Sequence, residues 1–248
     1  KVGIFASNMT RIDIVLPVYN GERYIGENIK KLHQWVKENF DYEFVIIVVN
    51  NASTDNTLNI AKKIETELPH EVKVIDISQK GRGIALRSGW ENSNADICAY
   101  IDSDLSADLK HISEIINPII KNEADICCGS RKLGDQGGKT TFSRGLMSWS
   151  YNFILRRTLG LKIADSQCGF KAIRTDIANK IIPLVENNGW FFDSELLIIA
   201  QKNDFKIKAV PIKWIDDVKT TVIVPKIVRE FLNGIIRMRK NGIPEILN

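Results

Sequence analysis

The amino-acid sequence predicts an α/β fold in which one doubly wound, mostly parallel sheet is covered by helices on both faces. Short apolar runs of strand length alternate with segments whose apolar residues recur at helical spacing, which is typical of βαβ units. The chain has 248 residues, of which 44% are hydrophobic, so a single large core is attainable. Because such crossovers are right-handed, successive strands of this kind form a mostly parallel sheet.

The first half of the chain carries most of the strand and helix alternation. Residues 12–17 form an apolar run of strand length, and residues 25–36 carry apolar side chains at helical spacing. Residues 44–49 are continuously apolar, as expected of a strand buried on both faces. The same reasoning predicts a helix at 55–68 with Asp55 as its N-cap, a strand at 72–77, a helix at 84–90, a strand at 97–101, a helix at 109–121 and a strand at 125–128.

The second half has a different character. Residues 130–141 are polar and rich in glycine, which predicts a mobile loop. No linker and no internal repeat interrupts the chain, so we predict one domain over residues 1–248. The remaining predicted elements are helices at 144–159, 176–185, 193–202 and 226–239, and short strands at 170–174 and 206–212.

Composition limits the classes of protein that need consideration. The net charge of +4 is too small to indicate a nucleic-acid partner, and none is expected. The apolar stretches are far shorter than the roughly 20 residues that cross a bilayer. The four cysteines lie in or beside apolar runs without metal-ligand spacing, which indicates buried, reduced thiols and a cytoplasmic protein. The three histidines lie far apart and receive no functional role.

Two carboxylates follow the strand predicted at 97–101. Asp102 and Asp104 are separated by one residue, directly after the apolar run. Open α/β sheets bind ligands at the carboxyl ends of their strands, and paired carboxylates at such an end suit a divalent cation, Mg²⁺ or Mn²⁺. The alternative is that one of these carboxylates only caps the following helix. A pair of this kind is common by chance, so its neighbouring motifs have to decide between the two.

Six further segments accompany this pair, each at or near the end of a predicted element. They are residues 16–20 (LPVYN), 49–55 (VNNASTD), 80–86 (KGRGIAL), 129–131 (GSR), 165–171 (DSQCGFK) and 189–197 (GWFFDSELL).

In this order the motifs closely resemble those of the family 2 inverting glycosyltransferases of GT-A fold. Within that family they look most like the branch that loads a sugar onto a polyprenyl phosphate, such as dolichyl-phosphate glucosyltransferase. The resemblance covers residues 11–239, with a nucleotide-sugar half at about 11–129 and an acceptor half at 130–240. It implies a metal-dependent enzyme that transfers a hexose from UDP-glucose or a UDP-N-acetylhexosamine to a polyprenyl phosphate.

The resemblance also places a nucleotide-sugar site, in which Asn50 and Asn51 stand where the family usually has two aspartates. A carboxylate suits the two adjacent N–H donors of guanine, whereas a carboxamide suits the flanked donor of uracil, so the exchange favours UDP. Alternatively, both asparagines only shape a turn, and the basic residues at 80–82 are only solvated. Ser106, where the mannosyl branch often has Gln, also argues against GDP-mannose. The expected nucleotide-sugar residues are Pro17, Tyr19, Asn20, Glu22, Asn50, Asn51, Lys80, Arg82, Asp102 and Ser103, and the metal ligands are Asp102 and Asp104.

On the acceptor side, the resemblance assigns the lipid phosphate to basic residues that flank the glycine-rich loop. Arg131 and Arg144 are the main candidates because arginine binds phosphate bidentately, and Ser148 and Lys139 are weaker ones. Surface solvation is the alternative for all four. A phosphomonoester is mostly dianionic at neutral pH, so it needs no general base to act as a nucleophile.

Asp193 lies near the position where related hydroxyl-directed enzymes keep their base. We expect instead that Asp193 or Glu195 binds sugar hydroxyls or orients Arg131; the alternative for Asp193 is a favourable place at a helix N-terminus. The resemblance makes Asp104, Asp193 and Arg131 the expected catalytic residues. The expected pocket residues are Gln167, Lys171 and Glu195, with a purely structural turn as the alternative for the first two.

The helix predicted at 226–239 is amphipathic and has basic edges. Such a helix can lie on an anionic membrane surface, which predicts peripheral contact at the cytoplasmic face. The alternative is a helix packed on the core of its own domain, and a homodimer is left open.

Two other functions remain open at this stage. One is glycosylation of a sugar hydroxyl in surface polysaccharide synthesis, with Asp193 as the base. The other is a silent nucleotide-sugar binder, suggested by Asn50 and Asn51.

Overall fold

The computed structural model describes residues 10–133, 142–214 and 224–246, with side chains described from residue 148 in the second range and from residue 225 in the third. The elements are β1 (Arg11–Val18), α1 (Ile25–Asn39), β2 (Glu43–Asn51), α2 (Thr57–Glu67), β3 (Val72–Ile77), α3 (Arg82–Glu91), β4 (Ile97–Ile101), α4 (His111–Ile120), β5 (Ile126–Ser130), α5 (Phe142–Leu159), β6 (Phe170–Arg174), α6 (Thr175–Ile181), a 3₁₀ turn (Ile182–Leu184), α7 (Phe192–Lys202), β7 (Ile207–Pro211) and α8 (Val224–Asn241).

The seven described strands form one sheet in the order β3-β2-β1-β4-β6-β5-β7. All neighbours are parallel except β6, which runs antiparallel to both β4 and β5. The predicted α/β fold with a doubly wound, mostly parallel sheet is therefore confirmed. Because β6 is reversed, its first residue, Phe170, pairs with Ile101 at the carboxyl end of β4.

The sheet separates two apolar layers, and strand β1 shows how the sequence builds both. Ile12, Ile14 and Leu16 alternate along the strand and pack into the layer that contains α1, α2 and α4. Val15 points to the other side, into the layer that contains α3, α6 and α7. These side chains are fully buried. The continuous apolar character of the central strands thus follows from burial on both faces.

Every predicted helix and strand is present, and the differences lie at the ends. Ser130 is the last residue of β5 and not part of a loop. Helix α2 begins at Thr57, whose amide donates over 3.0 Å to Oδ1 of Asp55. Most of the loop predicted at 130–141 lies outside the described residues. The four cysteines are buried and free of disulfides, as predicted.

Helix α8 has two apolar faces. Ile235 and Met238 are buried against the domain, while Val228, Leu232 and Ile236 are 40%, 45% and 63% exposed. The core-packed alternative therefore holds for one face of the helix, while the other face is uncovered and contact with a membrane stays a prediction. In the part of the chain that the structure describes, no helix has the length and apolar character needed to cross a membrane.

Candidate active site

Topology gathers the predicted site residues at one edge of the sheet. Strands β1, β2, β4, β5 and β7 all end at this edge, and the reversed strand β6 begins there. The segments after β1, β2 and β4 and the segment before β6 therefore meet at the switch between β1 and β4, where open α/β sheets bind ligands.

Asp102 and Asp104 lie in a tight turn at the end of β4. The amide of Asp102 donates to the carbonyl of Gly169 over 3.0 Å, and the amide of Leu105 donates to the carbonyl of Asp102 over 3.0 Å. Asp104 is exposed, and its Oδ1 accepts the amide of Ser106 over 3.0 Å. Neither aspartate caps α4, which begins at His111. The capping alternative is therefore wrong.

Arg82 joins Asp102 to Asp193. Its Nη2 lies 2.7 Å from Oδ1 of Asp102, and its Nε donates over 3.3 Å to Oδ2 of Asp193. The guanidinium also stacks on the ring of Trp190, with 5.2 Å between its Cζ and the ring centroid. We expected Arg82 to contact the diphosphate directly, but the structure places its side chain, 14% exposed, between two carboxylates.

Lys171 and Tyr100 complete a buried charge network on the other side of Asp193. Lys171 Nζ donates to Oδ1 of Asp193 over 2.7 Å, to the Tyr100 hydroxyl over 3.0 Å and to the carbonyl of Cys168 over 2.6 Å. The Tyr100 hydroxyl also donates to Asp193. Lys171 and Asp193 are each 1% exposed. Two cations thus face two carboxylates, so the network is neutral when all four groups are charged.

This network determines the state of Asp193. Burial raises the pKa of its carboxyl, but Lys171 and Arg82 outweigh that effect, so the pKa lies below its usual value. Asp193 is ionised at neutral pH, yet both its oxygens are already bound by Lys171, Tyr100 and Arg82. A carboxylate bound in this way is unsuited to abstracting a proton. Asp193 does not contact Arg131 either, so the expectation that it orients that arginine is wrong.

The two carboxylates at 102 and 104 fit a divalent cation. Burial raises the pKa of Asp102, and the charge of Asp104 adds to this while Arg82 opposes it. Oδ1 of Asp102 is buried, and its described partner is Arg82, whose Nη2 lies 2.7 Å away. Among the described residues no three His, Cys, Asp or Glu side chains gather as a closed metal cage. Mg²⁺ needs only one or two carboxylates when phosphates complete its shell, so Asp102 and Asp104 suffice as ligands.

The two asparagines at the carboxyl end of β2 have different partners. Asn51 Oδ1 accepts the amide of Gly81 over 2.8 Å and thereby holds the turn before α3. Asn50 Nδ2 donates to Asp76 over 2.7 Å, while its Oδ1 is buried without a hydrogen-bond partner in the described chain. The turn-shaping alternative thus applies to Asn51. Asn50 thus holds one unused, buried acceptor beside the carboxyl end of β2.

Tyr19 and Lys80 flank the same crevice. The Lys80 ammonium lies 3.2 Å above the centroid of the Tyr19 ring, a cation–π contact. Pro17 is half-buried within β1, two residues before Tyr19. These three residues lie at the edge of the sheet where the nucleotide site is predicted.

Three residues expected at the nucleotide instead fasten loops to one another. Oδ1 of Asn20 accepts the amide of Thr54 over 2.8 Å, and Oε2 of Glu22 accepts the amide of Asn56 over 3.0 Å. The buried hydroxyl of Ser103 lies 3.4 Å from that of Tyr24. Asn20, Glu22 and Ser103 therefore join the site segments to one another, and their contact with the nucleotide-sugar stays a prediction.

Arg131 follows β5 and is held by Asp165. Its Nε and Nη2 each donate over 2.8 Å to one carboxylate oxygen, and its backbone amide donates over 3.1 Å. Asp165 is 1% exposed; burial raises its pKa, but the hydrogen bonds from Arg131 outweigh this and lower it. The guanidinium also stacks on Trp214, 5.3 Å from the ring centroid. Sequence reasoning missed Asp165, although the aspartate opens one of the motifs.

The other acceptor-side candidates are less well defined. Ser148 lies half-buried on α5, and the side chain of Arg144 and all of Lys139 lie outside the described residues. Gln167 Nε2 donates to the buried hydroxyl of Ser194 over 2.8 Å, so it is tied to α7.

Glu195 does not line this pocket. Its carboxylate accepts the amides of Glu186 and Asn187 over 3.1 and 3.0 Å, and Arg237 of α8 donates to it over 2.5 Å. With 2% exposure, Glu195 connects α7 to α8 and does not orient Arg131. The pocket assignment for Glu195 is therefore wrong.

Residues 13–182 match the profile of the family described as Glycosyl transferase family 2. This chain belongs to glycosyl transferase family 2. The resemblance stated from the motifs is confirmed.

Relatives within the family support the same branch. Glycosyltransferase AglD of Haloferax volcanii is 30% identical over 204 residues, which cover 82% of this chain and 33% of AglD. The dolichyl-phosphate beta-glucosyltransferase of Dictyostelium discoideum is 27% identical over 215 residues, 82% of this chain and 66% of that enzyme. The family 2 chain thus spans one third to two thirds of the length of these relatives.

A solved structure confirms the GT-A fold. Glucosyl-3-phosphoglycerate synthase from Mycobacterium tuberculosis, in complex with uridine diphosphate, superposes with a TM-score of 0.70 at 19% identity. The superposition covers 96% of this chain and 82% of the synthase chain.

Proposed function

We propose that this protein transfers a hexose from a UDP-sugar to a polyprenyl phosphate with inversion at the anomeric carbon. One observation carries the choice of acceptor: both oxygens of Asp193 are bound by Lys171, Tyr100 and Arg82. A sugar hydroxyl needs a base at this place, whereas a phosphate dianion needs none. The printed name of the Dictyostelium relative agrees with a lipid-phosphate acceptor.

The reaction follows from this arrangement. An oxygen of the lipid phosphate forms a bond to the anomeric carbon as the bond from that carbon to the UDP oxygen breaks on the opposite face. No proton has to move, and the product is β-linked. Arg131, fixed by Asp165, is our choice for holding the acceptor phosphate because its charge is retained at any relevant pH.

The unused acceptor of Asn50 supports a uridine donor. The N–H of uracil lies between two carbonyl groups, so a carboxamide can accept from it while its amino group avoids repulsion with those carbonyls. The Mycobacterium synthase was crystallised with Mn²⁺ and UDP, which agrees with this choice of nucleotide and with a divalent metal. A cation bound by Asp102 and Asp104 would act as a Lewis acid on the departing diphosphate.

Peripheral contact with the cytoplasmic face of a membrane would bring the acceptor to the site. Helix α5 exposes a stacked Trp149–Phe153 pair, and the neighbouring α8 exposes the stripe Val228, Leu232 and Ile236. Exposed apolar side chains of this size mark an interaction surface. Among the side chains of these two helices that the structure describes, the exposed basic ones are Arg156, Arg157, Lys226, Arg229, Arg239 and Lys240.

The decisive test is transfer to a short-chain polyprenyl phosphate in detergent, with Mg²⁺, Mn²⁺ or EDTA. UDP-glucose, UDP-N-acetylglucosamine and GDP-mannose are offered separately, and lipid products are identified by mass spectrometry. We expect a metal-dependent product from one UDP-sugar. A product from GDP-mannose alone would refute the donor assignment, and transfer only to a sugar hydroxyl would refute the acceptor assignment.

The metal ligands are tested in the same assay. Asp104→Asn should abolish transfer while the circular dichroism spectrum is retained, because the turn bond to Ser106 survives but the charge is lost. The control is Asp41→Asn at an exposed position before β2, which should remain fully active. Full activity of Asp104→Asn would show that Asp104 binds no essential metal.

A further inference from the structure

Helix α8 exposes an apolar stripe on one side, and on the other side it contacts the segment that leads into α7, the helix that carries Asp193. Its outward stripe of Val228, Leu232 and Ile236 is flanked by basic residues, and its sequence holds a single acidic residue, Glu230. Glu230 does not belong to the outward face. Instead it contacts residues 186–192, here called the α7 lead-in.

The first contact is a hydrogen bond at the start of α7. Oε1 of Glu230 accepts the amide of Phe191 over 3.1 Å, immediately before the helix begins at Phe192. Helix N-terminal amides lack partners within their own helix and favour negative charge. Glu230 therefore caps α7 from a different helix. A Cβ on Gly189 would overlap this carboxylate, so the two segments are in direct contact.

Two further contacts hold α8 against the same lead-in. The ring of Phe191 lies so close to Gly234 that any side chain there would overlap it. Arg237 donates to Glu195, which accepts the amides of Glu186 and Asn187. Both ends of the lead-in are thus attached to α8.

The α7 lead-in also holds the first turn of helix α3, which begins at Arg82. The amide of Gly83 donates over 3.1 Å to the carbonyl of Gly189, and the amide of Ile84 donates over 3.1 Å to that of Asn188. Trp190 lies beneath the Arg82 guanidinium. Since Arg82 bridges Asp102 and Asp193, the position of α8 is transmitted to the donor site by direct contacts.

We propose that Glu230 is a positioning residue through which contact of α8 with an anionic lipid surface orders the turn of Arg82. This inference rests on the membrane contact in the proposed function. A surface shifts a conformational equilibrium only if it binds one state better. The packed state of α8 presents its three apolar side chains and its basic residues together, which complements an anionic bilayer. Lipid contact therefore favours the state in which Glu230 caps α7.

Hydrogen–deuterium exchange tests the inference without donor or acceptor. The wild type and Glu230→Gln are compared alone, with phosphatidylcholine vesicles, and with vesicles that also contain phosphatidylglycerol. In the wild type, we expect the anionic vesicles to slow exchange in peptides that contain Gly83, Ile84 and Phe191. In Glu230→Gln, vesicle binding should persist while this slowing is weakened, because the carboxamide can still accept the Phe191 amide but lacks the negative charge that a helix N-terminus favours. Glu245→Gln, at an exposed site beyond α8, should behave like the wild type.

Each contrary result overturns the coupling. Equal slowing in Glu230→Gln would show that the carboxylate is not the connection, and unchanged exchange in vesicle-bound wild type would show that none exists. Absence of vesicle binding would show that an anionic lipid surface is not the partner of α8. A second variant, Lys226→Gln with Arg229→Gln, leaves Glu230 intact and should weaken binding and slowing together. Failure of lipid glycosylation with this pattern intact would refute the proposed function and not the coupling.

Discussion

The carboxylate of Asp102 occupies the space beside Gly169 that a Cβ would need, and the Asp102 amide donates to the Gly169 carbonyl over 3.0 Å. Gly169 is the last residue before β6, and Asp102 is the first after β4. Because β6 runs antiparallel to β4, these two chain positions meet at the edge of the sheet. The small residue at 169 therefore determines where the Asp102 carboxylate can lie.

Gly169→Ala should displace Asp102 and abolish or strongly reduce transfer. The added methyl group overlaps the Asp102 carboxylate, which Arg82 holds at 2.7 Å, so the carboxylate has to leave its position. The measurements are UDP affinity with Mn²⁺ by calorimetry and the transfer rate. Gly160→Ala is the control: its positive φ of 70° costs about 1 kcal/mol of stability, but it faces open space and should keep activity. Unchanged UDP affinity in Gly169→Ala would contradict the argument.

Periodicity was sufficient to predict the elements, and the rule for strand ends predicted which segments meet. Asp102, Asn50 and Arg131 all lie where those rules place them, because Asn50 stands at the carboxyl end of β2 and Asp102 and Arg131 directly follow β4 and β5. The rules do not determine which opposite charges pair. Arg131 could have met Asp165 or Asp193, and the choice depends on how α3 and α7 pack against the reversed strand β6.

The hydrogen bonds that join one loop to another also could not be predicted from the sequence. Glu22 and Asn20 stand beside the site in the chain, yet their side chains turn toward backbone amides after β2. A pattern of residue types cannot distinguish a ligand contact from an amide contact when both need the same acceptor oxygen. The partner of such a side chain can be assigned only when the structure shows which nearby backbone amides lack a partner within their own helix or strand.

Lys171→Met should destabilise the fold by about 3–5 kcal/mol, the cost of leaving a buried charge without its partner. The buried carboxylate of Asp193 would retain only Tyr100 and the longer bond from Arg82. Urea denaturation measures the free energy of unfolding. Lys208→Met, whose exposed partner is Glu123, should leave the midpoint unchanged. A loss no larger for Lys171→Met than for this control would mean that Asp193 is stabilised without the lysine.

The difference in unfolding free energy between the wild type and Lys171→Met should depend on pH with a definite sign. Asp193 has a lowered pKa in the folded protein, and Lys171 has a raised one because Asp193 outweighs the effect of burial. The contribution of the pair is therefore complete between the usual values of 3.8 and 10.5. The stability difference between wild type and Lys171→Met should shrink as pH falls below 3.8 and again as pH rises above 10.5. If the stability difference grew as the pH fell, the pKa of Asp193 would be raised and not lowered in the folded protein.

Asn50→Asp should lower the affinity for UDP relative to GDP. The carboxylate loses the hydrogen bond that Asn50 donates to Asp76 and stands beside a like charge. It also repels the carbonyls that flank the uracil N–H, so we expect roughly a 10-fold change in the ratio of the two dissociation constants, about 1.4 kcal/mol. Calorimetry with both nucleotides measures this ratio. Asn179→Asp, an exposed change on α6, is the control, and an unchanged ratio at residue 50 would exclude Asn50 from base recognition.

Asp165→Asn should weaken binding of the acceptor phosphate and leave UDP binding intact. The lowered pKa of Asp165 reflects two charge-assisted bonds that fix the Arg131 guanidinium, and the amide variant can accept only one of them. We expect KM for the lipid phosphate to rise about 10-fold or more, with a smaller change in kcat. The matched control is Asp176→Asn, because Asp176 binds Arg174 with the same two-bond geometry at the opposite end of β6. If the two variants had equal KM values, Arg131 would not be the phosphate-binding residue that this site requires.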